Sequence, residues 1–341
     1  MKTDFSPPQN IFVGQLRREY FITHDDKPVL DVPGGNGLYA IVGFMLWEPD
    51  QIPGLLARVG EDYPQSWLDD FTRHQINVEG VNILPEAMDL RSFYIYLNKS
   101  TCVEDDPVPH FARLGLTLPR ALLGIKKKGK ELDSRTKTLS TTLRQGDIPK
   151  KYLLSTAAHI CPIDYLTHNL LPAAFRQAGF TTITLSPSPG YMDPNFWGDI
   201  PALITGLTAF IPTEENLRHL FKRREADLWE MAAELAHYGC EMVVIRRGER
   251  GQLLYDAAGD KRWEIPAYPT RLRNPTGAGD AFCGGFLAGY RRTFDPVQAV
   301  LHGNVASSLV VEGTTPFYAL DALPGLAKAR LEFLQHSVRE V

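Results

Sequence analysis

No stretch of this 341-residue chain approaches the roughly 20 apolar residues of a membrane span, and its first ten residues, MKTDFSPPQN, lack the apolar centre of a signal peptide. A cytoplasmic protein is expected. Cysteine is scarce: the four thiols at 102, 161, 240 and 283 form no C-x-x-C pair, so neither a zinc site nor a disulfide framework is suggested. Charge of one sign is missing too. With 36 Lys and Arg against 40 Asp and Glu, the net charge of -4 gives no overall field to favour nucleic acid or an anionic membrane. There is no internal repeat, and the glycosylation-type triplet Asn98-Lys99-Ser100 has no route to that chemistry without secretion. What remains is an ordinary globular composition, 44% hydrophobic and 22% charged, able to bury a large core.

From Tyr152 onward short apolar runs alternate with segments of helical period, the pattern of βα units around a mostly parallel sheet. Strands are expected at Tyr152–Ser155, Thr182–Leu185, Leu207–Ile211 and Met242–Ile245, with a hairpin around Gly251–Tyr255 and one long helix over Glu214–Tyr238. In the first half, residues 10–14, 28–32 and 91–97 resemble strands separated by turns, so residues 10–32 and 88–100 are expected to supply a small sheet apart from the core. Residues 102–151 read as a basic insertion near that sheet: 126–151 hold nine Lys or Arg against three acids. The KKKGK run there is either a solvated loop or a phosphate-attracting flap.

The strongest local signal is WEIPAYPTRLRNPTGAGDAFCGGFLAGY, from Trp263 to Tyr290, which reads as strand, glycine turn, then apolar helix. Gly277 and Gly279 let the backbone approach a ligand closely, and the amides of Gly277, Ala278 and Gly279 open a helix N-terminus, a natural anion site. Asp280 sits at the same N-terminus, where the helix dipole favours a carboxylate able to take a proton from a hydroxyl. The plainer account makes Asp280 a cap and Gly284, Gly285 and Gly289 packing glycines. Each interior glycine costs about 1 kcal/mol relative to alanine, so close approach to something is the better account of so many.

The run Asn274-Pro275-Thr276-Gly277-Ala278-Gly279-Asp280-Ala281-Phe282 resembles the D-T-x-G-A-G-D-x-F signature of the PfkB, or ribokinase-like, sugar and nucleoside kinases. The resemblance implies an α/β fold, a three-layer αβα core with a mostly parallel sheet and a small β-sheet lid, in a single domain over residues 1–341. It implies Asp280 as the base, the 277–279 amides as the anion hole, Thr276 near the nucleotide, and ATP with Mg²⁺ as co-substrates. A homodimer through lid pairing is also implied. Asn274 stands where the family has an Asp that helps bind a monovalent cation, which leaves cation activation open.

The resemblance continues elsewhere. Pro33-Gly34-Gly35-Asn36-Gly37 is similar to the family's early Gly-Gly motif beside the sugar, and Tyr39 stands where Asn often follows. Arg58-Val59-Gly60-Glu61-Asp62 resembles the V-G-x-D segment. Leu185–Pro189 resembles the strand end facing the nucleotide, Arg246 to Gly251 the K-x-G-x-x-G turn near the ATP phosphates, and Asn304 lies on the helix along which adenine runs. Arg246, Gly248, Gly251 and Asn304 are therefore the expected nucleotide-side residues. Thr213-Glu214-Glu215-Asn216 departs from the usual N-x-x-E, and Glu215 takes the metal-side role, through water, if any residue does. After Gly14, where many members carry an Asp for sugar hydroxyls, this chain has Arg17 and Glu19. Glu19 either pairs with acceptor hydroxyls or is a strand residue. Arg17 either suits a carboxylate or phosphate on the acceptor or is likewise a strand residue.

Two decoys fall away. Gly124–Glu131 nearly spells a phosphate-binding Walker loop but lacks the final Ser or Thr, and Gly35–Ala40 fits the G-x-G-x-x-A spacing of a dinucleotide fold without an acid about 20 positions later. The expected function is ATP-dependent phosphoryl transfer to a sugar-like hydroxyl, with no nucleic-acid or membrane partner. A nucleoside acceptor, a catalytically silent kinase fold and an NAD-dependent dehydrogenase are the alternatives.

Overall fold

The computed structural model describes residues 6–97, 102–125, 132–222 and 224–341. The Asn98-Lys99-Ser100 triplet, the KKKGK run and most of the Walker-like segment lie outside them. Along the chain come β1 (Asn10–Val13), β2 (Arg17–Ile22), β3 (Pro28–Gly34), α1 (Asn36–Met45), β4 (Gly54–Gly60), α2 (Gln65–Arg73), β5 (Asn77–Leu84), β6 (Arg91–Tyr96), β7 (Cys102–Glu104) and α3 (Pro107–Arg113). The second half adds β8 (Ala157–Ile160), α4 (Tyr165–Gln177), β9 (Thr182–Leu185), α5 (Ile200–Ile204), β10 (Ala209–Phe210), α6 (Glu214–Leu220), α7 (Leu228–His237) and β11 (Met242–Arg246). It closes with β12 (Gln252–Asp256), β13 (Lys261–Ile265), α8 (Ala278–Thr293), α9 (Pro296–Val310), α10 (Leu326–Gln335) and β14 (Arg339–Glu340).

Two sheets result. The large one has ten strands in the order β14-β13-β12-β11-β10-β9-β8-β1-β4-β5; the run from β11 to β5 is parallel, and the β12–β14 edge is antiparallel. The small one has the order β3-β2-β6-β7. One face of the large sheet carries α1, α2, α8, α9 and α10, and the other α4 to α7, each over its own buried apolar cluster. The small sheet has a third cluster, where Tyr20, Ile22, Phe93 and Ile95 pack against Phe111 of α3 and Leu122.

Four expectations change. Residues 10–14 do not join the small sheet, because β1 pairs in parallel with β4 and β8 at the centre of the large one. The chain leaves β1 for β2 and β3 and returns through α1, so β1 is followed by turns like a lid strand. Tyr152–Ser155 is not a strand: Lys150–Leu154 form a 3₁₀ turn, and the strand begins at Ala157. The Tyr152 hydroxyl is held under the sheet by Asn77 O at 2.8 Å. The long helix over Glu214–Tyr238 is two helices, the second started by Asp227, which caps α7 in a reciprocal pair with Glu230. The segment read as an exposed insertion is partly built in: Leu143 and Ile148 enter the core beneath α4, Arg58 pairs with Asp147 at 2.8 Å, and β7 and α3 complete the small sheet.

Candidate active site

Strand β1 ends in the wall that becomes β2, β11 ends at Arg246, and α8 begins opposite both, so the chemically interesting residues collect at the carboxyl ends of parallel strands, where open α/β sheets bind ligands. The turn into α8 is anchored from behind. The amides of Arg273 and Asn274 donate to Val311 O at 2.8 and 3.1 Å, and buried Asn274 accepts from the Thr276 amide at 3.0 Å. Asn274 thus shapes the turn. Gly277 is left-handed (φ 74°) and caps α8; the Ala278 amide is returned to Pro275 O, whereas those of Gly277 and Gly279 have no partner among the described residues.

Asp280 lies in the first turn of α8. Burial pushes its carboxyl up to about 6, against the pull of the Arg246 and then the Arg17 charges. Burial thus opposes the ionised form expected at the helix N-terminus, while a value of about 6 still leaves the carboxyl mostly ionised at pH 7. The result is a carboxyl poised near neutrality, as general-base work requires.

Arg246 closes the other side. Its Nη2 donates to Ser186 Oγ at 2.8 Å, its buried Nε has no partner, and its Nη1 occupies the space a β-carbon at Gly279 would take, 2.1 Å away. A guanidinium with free donors therefore lies against the unpartnered Gly279 amide. Both face a cleft of about 1910 Å³ that runs past Glu215, Gly248, Ser188 and Asn304. Such a donor set, in a cleft large enough for a nucleotide, fits a polyphosphate.

The acceptor-side residues are gathered differently. Glu19 is 2% exposed; its carboxylate accepts from the Gly35 amide at 2.9 Å and the Tyr39 hydroxyl at 3.1 Å. Burial raises it to about 7, with those two hydrogen bonds and the Arg17 charge acting against. A β-carbon on Gly34 would fall 2.1 Å from that carboxylate, and one on Gly35 (φ 100°) 2.3 Å from Gln15 O. These glycines are therefore demanded by contacts inside the protein. Asn36 is similarly engaged, accepting from the Gln15 amide and donating to Pro162 O. The Tyr39 ring fills the space beside Gly277, and Arg17 reaches Gln15 Oε1 at 2.7 Å.

On the nucleotide side, Gly248 (φ 60°) borders open space, whereas Gly251 is pressed against Ile265 O. Asn304 is not helix surface: it is buried, donating to Gln252 Oε1 and Pro266 O and accepting from the Tyr268 amide, so its amide positions the 266–268 loop. Glu215 borders the cleft from α6, while Thr213 and Asn216 cap that helix reciprocally. Sequence reasoning missed Tyr96. Its hydroxyl, from lid strand β6, hydrogen-bonds the Thr276 hydroxyl of the glycine turn, and nothing local in 91–96 marks which strand face meets a turn 180 residues away. It also missed Asp133, whose carboxyl is pushed up to about 6 by burial and accepts from the Tyr165 amide, pinning the insertion beside Gly190.

The fold and the glycine turn together define a small-molecule kinase of ribokinase type. Residues 151–321, half of the chain, match the pfkB carbohydrate kinase family, and the chain belongs to that family. It is similar to a cytidine kinase of Thermococcus kodakarensis, 28% identical over 241 residues that cover 70% of this chain and 74% of the relative. Among solved structures, a candidate ribokinase II of E. coli in complex with ATP and Mg²⁺ superposes with a TM-score of 0.69 at 16% identity, covering 96% and 99% of the two chains. A Burkholderia thailandensis nucleoside kinase in complex with inosine does so with 0.66 at 17%, covering 95% and 98%. The protein is thus a kinase of this family. Among the described residues no helix is long and apolar enough to cross a membrane.

Proposed function

We propose that the protein transfers the γ-phosphoryl group of ATP to a hydroxyl of a sugar-like small molecule, with Asp280 as the general base. The observation that carries this is the meeting at one point of Asp280, the unpartnered Gly277 and Gly279 amides and the Arg246 guanidinium. ATP would supply the phosphoryl group, and Mg²⁺ would offset the charge on its oxygens. Asp280 accepts the proton of the attacking hydroxyl. The two amides and Arg246 hold the charge that spreads over the transferring group, a stabilisation of the kind that costs roughly 10²- to 10³-fold when one donor is removed.

Among the described residues no group of three His, Cys, Asp or Glu side chains is placed to hold a metal ion, and Glu215 is one of several carboxylates bordering the cleft in which Mg²⁺ would be held with the nucleotide. Water exclusion falls to the small sheet, which reaches the turn through Tyr96 and Thr276.

The test is ADP production by the purified chain with a panel of sugars, sugar acids, sugar phosphates and nucleosides. Asp280→Asn is expected to lower transfer by roughly 10²- to 10⁴-fold while leaving nucleotide affinity nearly intact. In the wild type kcat/KM should rise with pH through about 6 and level off above, as the base ionises. Near-normal transfer by Asp280→Asn would remove Asp280 from the role. Ligand binding without turnover for every acceptor would favour a silent kinase fold.

A further inference from the structure

Arg17 stands apart from the other charged groups of the acceptor wall. It follows β1 at the start of β2, half-buried, and its guanidinium donates to the neutral side chain of Gln15 at 2.7 Å. It forms no ion pair within 4.0 Å among the described residues, although two carboxyls lie near enough to feel its charge. Glu19 is committed elsewhere, to the Gly35 amide and the Tyr39 hydroxyl, and Asp280 sits in the first turn of α8. Arg17 opens β2, the small-sheet strand that also carries Glu19 and runs beside β6.

The planar fork of an arginine is matched to two oxygens of a carboxylate or phosphate, so the donors that Arg17 does not spend on Gln15 suit such a group. Residues suited to reading neutral hydroxyls are meanwhile withdrawn: Glu19 and Tyr39 are each 2% exposed and hydrogen-bonded to each other, and both Asn36 polar atoms serve the main chain. Arg246 lies against Gly279 and lines the nucleotide cleft, whereas Arg17 is not among the residues that line it.

We propose that the acceptor carries an oxyanion group, a carboxylate or a phosphate, beside the hydroxyl to be phosphorylated, and that Arg17 binds it. This rests on the kinase reading above for the position of the acceptor, but its test does not require turnover. The full chain, with a non-hydrolysable ATP analogue and Mg²⁺, is titrated calorimetrically with matched probes: gluconate against glucose, ribose 5-phosphate against ribose, and cytidine 5′-monophosphate against cytidine. An anionic probe is expected to bind at least about 10-fold more tightly than its neutral counterpart, and the pair that shows this separates carboxylate from phosphate. Arg17→Gln should lower that affinity by about 10- to 100-fold with the ATP-analogue affinity and melting temperature unchanged, and Arg17→Lys should restore part of it. Equal binding of neutral and anionic probes, a preference that survives Arg17→Gln, or no binding by any probe would each overturn the proposal. Anion binding without phosphoryl transfer would keep it and sink the kinase reading; efficient transfer to neutral glucose, ribose or cytidine would do the reverse.

Discussion

At Gly34 and Gly35 the space a β-carbon would take is held by the Glu19 carboxylate and the main chain of Gln15; at Gly277 and Gly279 it is held by the Tyr39 ring and the Arg246 guanidinium. Both segments are glycine-rich and both border the space between lid and core. The first is glycine because the chain folds against its own Glu19 side chain and Gln15 main chain there. The second is glycine because the Tyr39 ring and the Arg246 guanidinium crowd it, while two of its amides have no partner among the described residues. Gly284, Gly285 and Gly289 belong with the first group, since their β-carbons would strike α1 and α9. A glycine motif thus records a close approach, and only the neighbour's identity says whether the approach concerns a ligand.

Substitution at the two segments should therefore separate activity from stability. Gly279→Ala places a methyl 2.1 Å from Arg246 Nη1, the far end of a flexible side chain, at a helical position where alanine is favoured by about 1 kcal/mol. Transfer should fall by roughly 10²- to 10³-fold with the denaturation midpoint nearly unchanged. Gly35→Ala forces a left-handed residue against a carbonyl that cannot move aside, and should destabilise by about 3 kcal/mol or more in urea unfolding. If Gly35→Ala stayed fully stable and lost only activity, the two segments would be of one kind after all.

The same contrast has a pH signature. Glu19 is held near 7 when folded, against an ordinary value of 4.5. Between those values the unfolded chain has released the proton and the folded chain has kept it, so stability should decline as pH rises through that window. The upper bound is about 3 kcal/mol, since each unit corresponds to about 1.4. Glu19→Gln keeps a side-chain carbonyl for the Gly35 amide and cannot titrate, so unfolding followed from pH 4.5 to 7 should lose this slope. An unchanged slope would mean that the buried carboxyl is already ionised.

How far these features were readable depends on the span of chain involved. Thr182–Leu185 is the strand its short apolar run indicated, and the turn from Asn274 to Asp280 carries the family resemblance because its glycines, threonine and aspartate lie within seven neighbouring positions. Residues 10–13 were misplaced because a strand's sheet is decided by its partners, here residues 54–56 and 157–160, and not by the turns beside it. The burial of Glu19 and Asn304 was hidden for a similar reason. Their partners, Tyr39 for one and Gln252, Pro266 and Tyr268 for the other, are fixed only once separate elements are packed.

The smallest expected effect tests the joint between the two regions. Tyr96 lies on β6 of the lid and Thr276 in the turn that opens α8, and their hydroxyls are hydrogen-bonded across 180 residues of chain. Tyr96→Phe removes that bond and leaves the ring, so the outer lid cluster around Phe93, Ile95 and Phe111 should stay packed. A hydrogen bond of this kind contributes about 0.5–1.5 kcal/mol net, and the loss should fall on the arrangement in which lid and turn are in contact. Acceptor KM should therefore rise by roughly 2- to 12-fold, with kcat and melting temperature changed far less. A fall in melting temperature with KM unchanged would show that the bond only braces the fold. An unchanged KM with unchanged stability would show that acceptor binding does not depend on this contact, and that the lid is held over the turn by Glu19 and Tyr39 instead.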